Sequence, residues 1–70
     1  MAQSPIRASD ADRERVAAVL RDAAGQGLLT LDEVDERLAQ VYAATYVGDL
    51  APLTADLPAG HALAERRDAT

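Results

Sequence analysis

The stretch GQGLLTLDEV, residues Gly25 to Val34, contains the signals that end one helix and begin the next. Two glycines within three residues favour the left-handed backbone that commonly closes a helix. Thr30 then provides a hydroxyl N-cap, and Glu33 follows three residues later, which completes the pattern of a capping box. Leu29 before the cap and Val34 after it have the spacing of a hydrophobic staple. The stretch therefore predicts two helices joined by a short turn.

Apolar spacing on either side of this turn predicts the helices themselves. Upstream, apolar residues recur at helical intervals from Val16 to Ala24 and predict a first helix over about residues 10–25. Downstream, the same spacing predicts a second helix over about residues 31–45. A connection this short places the two helices antiparallel. The residues expected to face inward are Val16, Val19, Leu20, Ala23, Ala24, Gly27, Val34, Leu38, Val41, Tyr42 and Thr45.

Two prolines limit the third element to a short helix. Pro52 is tolerated only in a first turn, which favours Asp49 as the N-cap, and Pro58 discourages continuation, so we expect this helix over about residues 49–57. Its inward residues would be Leu50, Leu53 and Leu57. The predicted fold class is all-α, a small antiparallel helical hairpin closed by a short third helix. Residues 1–8 would form a flexible lead-in, residues 9–58 the helical domain, and residues 59–70 a frayed or partly helical tail.

The composition excludes several classes of protein. Twelve acids stand against seven arginines, and this net charge of −5 argues against nucleic-acid binding through phosphate neutralisation. The absence of cysteine excludes disulfides, thiolate nucleophiles and cysteine zinc sites. No stretch approaches the roughly 18 apolar residues of a membrane span, and the N-terminus lacks the apolar region of a secretory signal. We therefore expect a soluble, cytoplasmic chain.

The stretch IRASDADRERV, which begins at Ile6, holds three acids and three arginines and permits two interpretations. Ser9 is the expected N-cap, although the capping box that Glu or Gln would complete is imperfect. In the first interpretation the arginines of the helix pair with acids three residues earlier, and such exposed pairs contribute about 0–1 kcal/mol each. In the second, Arg7, Asp10 and Arg13 form an edge that recognises a partner.

The sequence contains no arrangement typical of a catalytic or metal site. The single histidine, His61, lies in the expected tail without a partner nearby in the sequence. The acidic run from Asp32 to Glu36 begins a helix, so its carboxylates point in different directions and do not form a calcium loop. The same acids would repel phosphates if the second helix served to recognise DNA. We expect no enzyme activity, no cofactor, no metal and no small-molecule substrate.

Tyr42 and Tyr46 stand four residues apart near the end of the second helix and leave two possibilities open. Either one tyrosine packs in the core and the other lies at its edge, or Tyr46 and Val47 belong to an exposed patch that docks another chain. Tyrosine is favoured in such patches because it combines a large area with a polar tip. Leu53 would add apolar area to the same patch.

Three blocks of the sequence, IRASDADRERV, GQGLLTLDEVDERL and GDLAPLTADLP, resemble the SHOCT-like domain of unknown function that is common in actinobacteria. The resemblance covers about residues 6–58, with the blocks in matching order and spacing. Two positions depart from the family pattern, since Leu28 stands where Arg is common and Val34 where Phe is more frequent. The matching positions are Arg7, Ser9, Asp10, Arg13, Gly27, Leu29, Glu33, Arg37, Leu50, Asp56, Leu57 and Pro58.

The resemblance implies a small helical interaction module that is not an enzyme. Related domains often precede transmembrane helices or a cell-envelope stress-response domain, which implies an envelope-linked assembly at the inner face of the membrane. We therefore expect protein–protein interaction or oligomerisation, in which the arginine edge of the first helix meets the acidic start of the second helix on a neighbouring copy. A regulatory ligand sensor or a nucleic-acid-binding module is the alternative.

Overall fold

The computed structural model of the protein describes residues 6–59, in which two α-helices form a hairpin. Helix α1 spans Asp10–Gly25 and helix α2 spans Leu31–Ala43, and the two pack against each other. Two short 3₁₀ helices follow, Val47–Asp49 and Ala51–Thr54, and the second of them contacts both α-helices. No β-strand occurs within residues 6–59, so the all-α class and the hairpin with a short closing element are confirmed.

Helix α1 begins with a complete capping box. The Ser9 hydroxyl accepts a hydrogen bond from the Asp12 N–H at 3.0 Å, and the Asp12 carboxylate accepts one from the Ser9 N–H at 2.9 Å. The expectation of an imperfect box is therefore wrong, because aspartate reaches the Ser9 N–H as Glu or Gln would. This bond from the Ser9 backbone is also the main cause that lowers the pKa of Asp12 below its usual value.

Helix α1 ends at Gly25, and Gly27, two residues later, adopts a left-handed backbone with a φ of 78°. The N–H groups of Gly27 and Leu28 donate to the carbonyls of Ala24 and Ala23 at 3.0 and 2.9 Å, which is the Schellman arrangement. Gly27 is exposed, so its expected place on the inward face is wrong. Its role is to adopt a backbone conformation that residues with a Cβ rarely adopt.

Replacing Gly27 by alanine is expected to lower the free energy of unfolding by about 1 kcal/mol, because an L-residue is strained at this φ. A Cβ at Gly27 would meet no atom within 4 Å, so the effect would come from the backbone alone. Gly25→Ala is the matched control, since Gly25 also has open space but a negative φ inside the helix, where alanine is favoured. Urea unfolding compares the two variants, and equal changes in stability would contradict the assignment.

Helix α2 begins with the capping box that the sequence predicts. The Thr30 hydroxyl accepts a hydrogen bond from the Glu33 N–H at 3.1 Å, and the Glu33 carboxylate accepts one from the Thr30 N–H at 2.8 Å. Leu29 and Val34, the expected staple, are both buried and belong to one apolar cluster. The turn between the helices is thus fixed by local bonds at each end and by burial of its apolar residues.

The chain after α2 differs from the single third helix that the sequence predicts. Helix α2 ends at Ala43, earlier than expected, because Ala44 adopts an extended backbone with a ψ of 131°. Asp49 does not cap a helix that follows it. Its carboxylate instead accepts a hydrogen bond from the N–H of Tyr46, the residue just before the first 3₁₀ helix, at 3.1 Å. Two 3₁₀ helices therefore replace the expected helix over residues 49–57.

The prolines explain part of this difference. Pro52 lies at the start of the second 3₁₀ helix, where its missing N–H is tolerated. The second 3₁₀ helix ends at Thr54, before Pro58, and Pro58 and Ala59, the last described residues, have a helical backbone again. Proline is well suited to the first position of a helix, because its φ is already fixed in the helical range. Predictions for residues 1–5 and 60–70, which include His61, fall outside the described residues.

The core lies between α1, α2 and the segment that follows them. Leu20, Val41 and Ala17 are fully buried, although Ala17 is not among the residues expected to face inward. Tyr42 and Thr45 are exposed, so their expected inward position is wrong. Leu53 is half-buried and packs against the core. The buried apolar residues are Ala17, Leu20, Ala23, Leu29, Val34, Val41, Ala44, Leu50 and Leu57.

Candidate functional site

Residues 6–8, which precede α1, pair with residues 45–47, which follow α2. The pairing consists of two backbone hydrogen bonds, from the Ala8 N–H to the Thr45 carbonyl at 2.9 Å and from the Val47 N–H to the Ile6 carbonyl at 2.8 Å. Arg7 and Tyr46 therefore lie opposite each other in a non-hydrogen-bonded antiparallel pair, in which cross-strand side chains are closest. Two candidate residues from distant parts of the sequence thus become neighbours on one surface.

Arg13 of helix α1 forms hydrogen bonds at both sides of this pairing. Its Nη1 donates hydrogen bonds to the carbonyls of Ala8 and Ala44, both at 3.1 Å. Its Nη2 forms an ion pair with Asp10 at 2.8 Å, which confirms the expected i, i+3 pair. The Arg13 side chain is 22% exposed, whereas that of Asp10 is 98% exposed. Most of the Arg13 side chain is therefore engaged inside the molecule.

A second arginine, Arg37, links α2 to the second 3₁₀ helix and to Asp56, which follows that helix. Its guanidinium binds the Asp56 carboxylate through two contacts of 2.8 and 3.0 Å, and its Nη1 also donates to the Leu53 carbonyl at 3.0 Å. The hydrogen bond from Arg37 lowers the pKa of Asp56, and the same bond raises the pKa of Arg37. The ion-pair partner of Arg37 is thus Asp56 and not Glu33, which stands four residues earlier in α2. The Glu33 carboxylate instead accepts the hydrogen bond from the Thr30 N–H.

We name the paired residues Ile6, Arg7, Tyr46 and Val47 the arm patch. Ile6 is 68% exposed and Tyr46 is 40% exposed, while Val47 is half-buried. No ion pair within residues 6–59 involves Arg7. Leu53, the remaining apolar candidate, packs against the core within the second 3₁₀ helix, so we do not include it in the patch.

Helix α2 carries a further exposed apolar surface that the spacing pattern did not indicate. Leu31 is 76% exposed and Tyr42 is 49% exposed. The Tyr42 hydroxyl accepts a hydrogen bond from Arg21 Nη2 of α1 at 3.3 Å, so this tyrosine does not pack in the core. A signal for Leu31 exists in the sequence, because it is a large apolar residue placed directly after a cap and directly before acids.

Within residues 6–59, no group of three or more His, Asp or Glu side chains is arranged to hold a metal ion. A depression between Val19, Leu28 and Leu57 has room for about one water molecule. Neither α-helix of this range combines the length and apolar character that a membrane span requires.

Known proteins similar to this chain include two uncharacterised proteins of Mycobacterium tuberculosis, one from strain CDC 1551 / Oshkosh and one from strain ATCC 25618 / H37Rv. Each is 51% identical to this chain over 61 residues. The aligned region covers 87% of this chain and 30% of each relative, so the chain spans less than a third of their length. No solved structure is significantly similar. The family model of the DUF1707 SHOCT-like domain matches residues 6–58, and the chain therefore belongs to this family.

Proposed function

We propose that this domain is a non-catalytic protein–protein interaction module that associates through the arm patch, with a second copy of itself or with another protein. The observation that supports this most directly is the exposure of Ile6 and Tyr46 on a backbone segment fixed by hydrogen bonds. Apolar side chains on a fixed backbone lose less conformational entropy on binding, and tyrosine is enriched among residues that dominate binding energy.

Charge plays a smaller part in this proposal than the sequence pattern suggests. Arg13 and Arg15 already have carboxylate partners within the same helix, so Arg7 is the cation of the expected edge that remains for a partner. A charge at the rim of an interface changes the association rate and orientation more than the affinity. The apolar contacts of Ile6 and Tyr46 would therefore supply most of the binding energy.

The setting of this interaction would be a cell-envelope-linked assembly, with the domain on the cytoplasmic side of the membrane. The family resemblance supports this setting, and the mycobacterial relatives extend well beyond the region that matches this chain. Fractionation of cells that express one of these relatives with an epitope tag tests it. We expect the relative to sediment with membranes, and recovery only in the cytosolic fraction would contradict the envelope link.

Tyr46→Ser and Ile6→Ser are each expected to weaken self-association about tenfold, because each removes an apolar contact of about 1.5 kcal/mol or more. Light scattering across a concentration series measures the molecular mass, and thermal melting checks that each variant is folded. Leu28→Ser is the matched control, since Leu28 is an exposed leucine in the turn after α1, outside the arm patch.

Two results would count against self-association through the arm patch. A protein that stays monomeric up to about 1 mM would exclude self-association at a relevant affinity and leave a foreign partner. An equal loss of association in Leu28→Ser and Tyr46→Ser would mean that the arm patch is not the contact surface.

A further inference from the structure

The geometry points to a second docking surface, on helix α2, that fits a basic amphipathic helix of another protein. We name this surface the α2 stripe and define it as Leu31, Asp35, Leu38 and Tyr42. These residues stand at i, i+4, i+7 and i+11, which places them along one face of the helix. Leu31 and Tyr42 are 76% and 49% exposed, and Leu38 is half-buried at the border of the core. The stripe therefore extends from the border of the core to the exposed side of α2.

Negative charge without a partner lies within and beside the stripe. The side chains of Asp35 and Asp32 form no ion pair or hydrogen bond within residues 6–59. By contrast, Asp10, Asp12 and Asp56 each face an arginine. Apolar positions at helical spacing, bordered by free carboxylates, complement a helix whose apolar face is bordered by Lys or Arg.

Helical spacing and charge together identify the kind of partner. The four positions follow steps of four, three and four residues, and a helix face with this spacing packs against the apolar face of a second α-helix. Arg21 stands at the Tyr42 end of the stripe, where it donates to the tyrosine hydroxyl. The cations of the partner therefore belong at the opposite end, over Asp32 and Asp35.

A second copy of this chain is a poor occupant of the stripe. At the stripe, a second copy would bring a chain with twelve acids and seven arginines against Asp32 and Asp35. Within residues 6–59, three of its five arginines are already held in internal ion pairs. These three are Arg13, Arg15 and Arg37. A foreign helix rich in Lys or Arg meets neither obstacle.

Binding of a synthetic peptide to the full chain tests this inference. The probe is a peptide of about 18 residues with Leu and Ala on one helical face and Lys along its borders, and its counterpart has Glu in place of Lys. We expect the Lys peptide to bind and the Glu peptide not to bind, measured by isothermal titration calorimetry. Leu31→Ser and Tyr42→Ser should each weaken binding of the Lys peptide about tenfold. Asp35→Asn should weaken it by about threefold, with the effect fading at high salt.

The matched controls separate the stripe from general attraction to an acidic protein. Leu28→Ser removes an exposed leucine outside the stripe, and Glu14→Gln removes an exposed carboxylate of α1, so neither should change peptide binding. An unchanged affinity in Leu31→Ser, comparable binding of the Glu peptide, or no binding of the Lys peptide at about 1 mM would each overturn the inference. Tyr46→Ser should leave peptide binding intact, which distinguishes this surface from the arm patch.

Discussion

Replacing Arg13 by alanine is expected to lower the free energy of unfolding by about 2–4 kcal/mol. The guanidinium donates to the backbone carbonyls of Ala8 and Ala44, and the variant leaves both without this partner. Hydrogen bonds from a charged donor contribute about 1.5–3 kcal/mol each, and unpaired, partly buried carbonyls add a desolvation cost. A core of this size supplies about 3–5 kcal/mol in total. We therefore expect the melting temperature, followed by circular dichroism, to fall by about 10 °C or more.

Two variants serve as controls for this prediction. Arg15 is 61% exposed and forms one ion pair with Asp12 at 3.2 Å, so Arg15→Ala should cost at most about 1 kcal/mol. Arg13→Lys should fall between wild type and Arg13→Ala, because an ammonium keeps the charge but lacks the planar fork of the guanidinium. If Arg13→Ala melted within a few degrees of wild type and yet lost self-association, Arg13 would belong to a recognition edge and not to the internal structure.

The helix boundaries that could be predicted from the sequence are those with local signals. The caps at Ser9 and Thr30 each bond to a residue three positions away, and Gly27 ends α1 through its own conformation. The end of α2 has no such signal, since neither Gly nor Pro stands near Ala43. There the backbone becomes extended at Ala44, and the following residues pair with the segment before α1. A tertiary contact therefore decides the boundary.

The candidate surface was only partly predictable for the same reason. Arg7 and Tyr46 could be selected by residue type, but their opposition depends on pairing between the two ends of the hairpin. The acceptors of Arg13 are backbone carbonyls, which every residue possesses and which leave no trace in the sequence. Tyr42 fits the inward spacing, yet it lies at the edge of the apolar face, where its hydroxyl meets Arg21 and the ring remains half exposed.

Replacing Arg37 by alanine is expected to lower the free energy of unfolding by about 2 kcal/mol. The variant loses the charge-assisted hydrogen bond to the partly buried Leu53 carbonyl and the packing of the arginine stem, whose side chain is 23% exposed. The second 3₁₀ helix would then be held to α2 by apolar contacts alone. Asp56→Asn is the control, because it removes the charge of the partner but leaves the Leu53 bond in place, so its effect in urea unfolding should be smaller.

The same ion pair gives the stability a defined dependence on pH. The pKa of Asp56 lies below its ordinary value of 3.8 in the folded protein, because Arg37 donates to its carboxylate. A carboxyl group with a lowered folded pKa stabilises the fold fully above its unfolded pKa, and this contribution is lost as the pH falls through the folded value. The pKa of Asp12 is lowered as well, by the Ser9 N–H, so wild type should lose stability as the pH falls below about 4.

Variants at these two sites should divide the acid-induced loss between them. Asp56→Asn and Arg37→Ala remove the contribution of Asp56, so the fall in stability from about pH 6 to about pH 3 should be shallower than in wild type. The fall that remains should shrink further when Asp12→Asn is added, because the second lowered carboxyl is then absent. Urea unfolding at several pH values measures these slopes. An Asp56→Asn protein that lost stability as steeply as wild type would mean that Arg37 and Asp56 are not paired in solution.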